Sequence, residues 1–157
     1  MNLEGLNRWI TLGANVGVVV GLALLIIEIR QNSELVRAQI HQSRSDNYVS
    51  ERQAVADSQF ILPVTVKLMT AGDYLDPANL DVLDPTERER FRRYLQSRHA
   101  DYDNLFYQYR LGYLDESFYQ SRVAGSIKRL LPMWEELGLL EYGTPEFQKE
   151  IERIAAE

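Results

Sequence analysis

Trp9 to Ile27 reads WITLGANVGVVVGLALLII. Its nineteen residues carry no charge, and Thr11 and Asn15 are its polar side chains. A helix of that length reaches about 28 Å, near the ~30 Å hydrocarbon thickness of a bilayer. Charge resumes on both sides, with Glu4 and Arg8 before it and Glu28 and Arg30 after it. A wholly buried core helix of a soluble domain usually gives a shorter uncharged run. The stretch therefore predicts a single membrane-spanning helix over residues 9–28, behind an N-terminal tail of residues 1–8. Trp9 suits the headgroup layer.

Within the span, Gly13, Gly17 and Gly21 recur every four residues. Small residues at that spacing form a slowly drifting stripe on which a second helix can pack closely. In lipid, where no hydrophobic gradient drives helices together, such contact favours self-association. Glycine is also frequent in membrane helices without any such role. Asn15 is costly in lipid and needs a polar partner, either across a helix interface or at the headgroups.

The rest of the chain sets the orientation and the exclusions. Near the span, Arg8 lies on the N-terminal side and Arg30, Arg37 and Arg44 on the other. The excess of positive charge is expected on the cytoplasmic side, so the bulk of the chain is predicted there. A cleaved signal peptide is not expected, because the apolar run is too long for one and no A-x-A site follows. Seventeen Lys and Arg against twenty-three Asp and Glu give a net charge of −6, which offers no basic field for nucleic acid. There is no Cys, and hence no disulfide, thiolate metal site or Cys nucleophile.

Beyond the span, good helix formers run without Gly or Pro from Leu22 to Leu62, predicting a helical stalk over residues 29–62. Ile29, Val36, Ile40 and Tyr48 give it a thin apolar stripe, too weak for a coiled coil. Pro63 is expected to end or kink the stalk, and residues 63–157 to form a small α-helical soluble domain. Its connector, Gly72 to Leu83, is rich in turn residues. Asp84-Pro85-Thr86-Glu87 is a capping-box helix start, with the helix running to about Leu111 and Gly112 closing it. Phe91, Tyr94, Leu95, Arg98, Tyr102, Leu105, Phe106 and Tyr109 share its predicted buried face. A second cap at Asp115 opens a helix to about Leu130, which Pro132 is expected to break. Thr144-Pro145 starts a last helix with Phe147, Ile151 and Ile154 inward. No stretch alternates as a strand, so the fold class is all-α.

Residues Ile27 to Gln39, IEIRQNSELVRAQ, directly follow the apolar run. Together with Asp84-Pro85-Thr86-Glu87, Trp134, Pro145-Glu146-Phe147 and Ile151, they make most of the chain resemble a group of short bacterial single-pass, membrane-anchored proteins of unknown function. The resemblance implies this architecture and a bacterial inner-membrane location. It supplies no activity and no catalytic residue.

Catalytic motifs are absent: no G-x-S-x-G, Walker-A loop, G-x-G-x-x-G, H-E-x-x-H or Glu-x-x-His pair occurs. His99 and Asp103, at i and i+4, share a helix face and have the residue types of a metal or acid–base pair. Nothing nominates further ligands, and a surface His–Asp pair beside the aromatic core is the plainer reading. Arg88, Arg90, Arg92 and Arg93 form the densest basic run. It suits anionic lipid headgroups, or else a solvated face in which Glu89 pairs with Arg93.

These features predict no cofactor, no metal and no catalytic residue. They favour a membrane-anchored interaction, scaffold or regulatory protein that self-associates and engages the bilayer and another membrane protein. An oligomeric pore built on the glycine stripe is the alternative. An enzyme with an unrecognised site comes third.

Overall fold

The computed structural model describes the backbone from Leu3 and the side chains from Asn7 to Glu157. The expectations for Met1 and Asn2, and for the side chain of Glu4, lie outside the described residues. All described elements are helical. The chain divides into two units, Met1–Asn47 and Tyr48–Glu157.

Helix α1, Leu3–Ala56, contains the apolar stretch and runs on through the predicted stalk. It is helical from Leu3, so no separate tail precedes it among the described residues. It stops at Ala56 rather than at Pro63. The Ser58 hydroxyl accepts hydrogen bonds from the backbone N–H of Phe60 (3.3 Å) and Ile61 (3.0 Å), turning the chain into α2, Ile61–Ala71. Pro63 then falls in the first turn of α2, where a missing N–H costs nothing because that donor has no helical partner.

The second unit is built on α3, Pro85–Arg110, whose cap is the one read from sequence. Asp84 Oδ1 accepts from the N–H of Thr86 and Glu87, both at 2.8 Å, and Glu87 Oε2 accepts from the N–H of Asp84 at 3.1 Å. The connector between α2 and α3 is partly a 3-10 turn, Pro77–Val82, started by Asp76. Past Leu111, Gly112 takes a left-handed conformation (φ 74°) that closes α3. The core forms where Phe91, Leu95, His99, Tyr102 and Phe106 of α3 meet Val64 and Leu68 of α2 and the helices that follow. Leu105 and Tyr94 lie half-buried at its rim.

Asp115 caps a short helical turn, α4 (Glu116–Phe118). The backbone widens to a π-helical stretch over Tyr119–Ala124 and continues as α5, Gly125–Glu136. Pro132 lies inside α5 and does not break it, contrary to the sequence expectation. Its ring is on the solvent side, so the carbonyl it leaves without a donor is reachable by water. The next two residues, Met133 and Trp134, are fully buried and hold the last turn in place. Packing outweighs the local penalty. Thr144 caps α6, Pro145–Ala155, with Phe147, Ile151 and Ile154 buried.

Candidate functional site

The apolar stretch of α1 has no cover from its own chain. Every large apolar side chain from Trp9 to Ile29 is between 51% and 73% exposed. The helix is long and apolar enough to cross a membrane. A Cβ placed on Gly13, Gly17 or Gly21 would have no atom of another residue within 4 Å, apart from its chain neighbours and the helix's own backbone. Folding of this chain therefore does not need glycine at any of the three. Asn15 belongs to a polar track with Asn7, Arg8 and Thr11, in which the Thr11 hydroxyl donates to the Asn7 carbonyl at 2.9 Å. Gly13 and Gly17 each lie two residues from Asn15, about 160° round an ideal helix. The glycine stripe and the polar track thus occupy opposite faces.

The arginine run is distributed around α3. Arg88 Nη2 donates to Glu136 Oε1 at 2.8 Å. Arg92 Nε donates to the Leu137 carbonyl at 3.1 Å, and its Nη2 to the Tyr142 hydroxyl at 3.1 Å. Both side chains tie α3 to the end of α5, where a cation also meets the negative end of that helix. Arg93 pairs with Glu89 at 2.9 Å, the i, i+4 pair expected of a solvated face. Arg90 instead lies over the Phe60 ring, 4.2 Å from its centroid. That contact adjoins the outward face of α2, where Leu62, Val66 and Met69 are exposed along with Phe60 and Val82.

His99 is not on the surface, as the plainer sequence reading had it. It is 1% exposed and packs against Trp134 and Phe147. Burial pushes its pKa below the ordinary histidine value, against the opposing charge of Asp103. The two Asp103 oxygens accept from the N–H and the hydroxyl of Thr144, each at 2.8 Å. Among the described residues, no three of His, Cys, Asp and Glu gather as a metal site would require.

Two polar clusters had no short-range signal in the sequence. Arg98 Nη1 donates to Glu51 Oε2, joining the last turns of α1 to α3 within the second unit. Burial works against the Arg98 charge, but the Glu51 carboxylate, Tyr102 and Tyr94 together outweigh it and raise the guanidinium pKa. In the second cluster, Tyr119 stacks on Tyr109, with centroids 4.0 Å apart and planes 7° from parallel. Its hydroxyl donates to Glu150 at 2.8 Å, and Arg153 donates to the same carboxylate at 2.7 Å. Glu51 and Arg98 are 47 residues apart, and Tyr119 and Glu150 are 31 apart, beyond any local motif.

A scan against protein-family models and searches of curated proteins and of solved structures found no match for this chain.

Proposed function

We propose that this chain is a membrane-anchored, self-associating interaction protein, in which α1 crosses a bilayer and the second unit is presented to a membrane partner. The observation that carries this reading is the exposed apolar stretch of α1. A core helix would be covered by its own chain, and here none of the apolar window is buried. Left in water, roughly 25 cal/mol for each Å² of that surface would be forgone, which only lipid or another apolar surface recovers.

The orientation rests on Arg30, Arg37 and Arg44 against Arg8, which puts the second unit in the cytoplasm. The resemblance of Ile27 to Gln39 to bacterial single-pass proteins supports the inner membrane as the site. Self-association rests on the open glycine stripe, where two backbones can approach closely. A contact through Gly13 and Gly17 leaves Asn15 facing away from the partner helix. Near the N-terminal end of the span, the headgroups then satisfy it, rather than a lumen. For a partner of the second unit, the exposed Leu62, Val66 and Met69 of α2 offer an apolar docking face.

Gly17→Leu tests the association. It places a branched side chain at the closest approach of the backbones, while favouring insertion as well as glycine does. Crosslinking or fluorescence transfer between labelled copies in liposomes should fall sharply for Gly17→Leu and stay unchanged for Val19→Leu. Undiminished transfer would remove the helix contact. A reporter active only in the cytoplasm, fused after Glu157, should work, and its failure would reverse the orientation.

A further inference from the structure

His99 sits where α3, α5 and α6 meet. Its ring centroid is 4.5 Å from that of Trp134 on α5, and 5.2 Å from that of Phe147 on α6, in an edge-on contact. Its Nε2 is buried and has no hydrogen-bond partner, and neither has Trp134 Nε1 beside it. The space is full. At Gly143 a Cβ would come within 3.1 Å of His99 Cε1, Asp103 Oδ2 and Phe147 Cδ1. Thr144, which starts α6, is held by Asp103, one turn of α3 beyond His99. The N-terminal end of α6 is therefore fastened to α3 by the Asp103–Thr144 bonds and by the packing of Phe147 on His99 and on Phe106.

We propose that His99 is an acid-sensitive pin: its neutral ring holds the start of α6 against α3 and α5, and its protonation releases that helix. Whichever nitrogen bears the proton in the neutral ring, the imidazolium bears one on each. The Nε2–H would then be a buried donor with no acceptor. The ring would also carry its charge among apolar neighbours and away from water.

Against the ring lie the Asp103 carboxylate from α3, Trp134 from α5 and Phe147 from α6, with Gly143 beside its Cε1. Asp103 favours the imidazolium, and the Trp134 π-face attracts a cation. Both Asp103 oxygens are already engaged by Thr144, however, and burial outweighs the pull of the Asp103 charge.

The direction follows from linkage. An undocked His99 has the ordinary pKa of about 6.5, and the docked one a lower value. Between the two, the undocked form binds more protons, so docking weakens as pH falls below about 6.5, by at most about tenfold per pH unit. Above that pH the pin is neutral in both states. Release of α6 would expose Phe147, Ile151 and Ile154, all buried in the docked form.

The test uses the full chain in nanodiscs. In His41→Gln protein the remaining imidazole NMR signal is that of His99, and hydrogen exchange reports α6 from pH 8 to pH 5, above the ordinary carboxylate range. The His99 signal should titrate below about 6.5. Over the same range the α6 amides should lose protection, after correction for intrinsic exchange. His99→Phe should abolish the loss. Asp103→Asn should raise exchange at every pH and retain it. An imidazole titrating at or above about 6.5, protection constant from pH 8 to pH 5, or an unchanged loss in His99→Phe would each overturn the proposal. Should His99→Phe not fold, the imidazole titration and exchange profile of the His41→Gln protein still decide it.

Discussion

Tyr119 shows how one buried polar atom is accommodated in an aromatic core. Its ring is fully buried, and its hydroxyl reaches Glu150, which also accepts from Arg153. Burial alone would raise the Glu150 pKa, but the hydrogen bonds from Arg153 and Tyr119 outweigh it and hold the carboxyl below its ordinary value. A carboxylate depressed in the folded state adds stability that is present above its unfolded pKa, about 4.3, and is lost as pH falls through the folded value. Tyr119→Phe removes one of the two donors while keeping the ring on Tyr109. It should cost about 2 kcal/mol at pH 7, the scale of a hydrogen bond to a charged group. The difference from wild type should narrow below about pH 4. Urea titrations at pH 7 and pH 3.5 measure both. A cost equal at the two pH values would place the effect in packing rather than in the Glu150 charge.

Among the elements, α3 has the strongest local instructions, and its start also joins it to α2. Glu87, the carboxylate of the capping box, is a partner of Lys67 on α2, and that hydrogen bond, with the one from the Asp84 N–H, lowers its pKa. Asp84→Ala leaves two N–H groups of the first turn without their acceptor and should destabilise the second unit by about 1 kcal/mol. A thermal or urea melt would register this. No change would mean that Pro85 and the packing of Phe91 alone set the start of α3. In α5 the balance is reversed. Pro132 argues for a break, yet the buried Met133 and Trp134 carry the helix through to Glu136. Local propensity governs where side chains are exposed, and packing governs where they are not.

At the scale of the molecule, the core cluster from Val64 to Ile154 lies wholly within Tyr48–Glu157. The last turns of α1, held by Glu51 on Arg98, belong to the same unit. A fragment of residues 48–157 should therefore fold without the apolar stretch. It should be soluble without detergent, helical by circular dichroism and cooperative in thermal melting, whereas the full chain should need detergent or lipid. A fragment that is helical yet melts without cooperativity would show that its packing depends on residues before Tyr48.

The outline of the chain was legible because its signals are local. An uncharged run of nineteen residues, three N-cap signatures at Asp84, Asp115 and Thr144, and apolar residues at helical spacing each act over a few turns at most. By themselves they determined an all-helical chain with an apolar N-terminal helix, and most of the inward face of α3. The tertiary structure decided what lies across the chain. It placed His99 inside the core, between residues 35 and 48 positions further on, where the i, i+4 spacing to Asp103 had read as a surface pair. It ended α1 at Ala56 instead of Pro63, carried α5 through Pro132, and paired Glu51 with Arg98. Each outcome depends on which distant side chains bury one another. Periodicity reports that a face is buried, but the partner that covers it is set by packing of the whole unit.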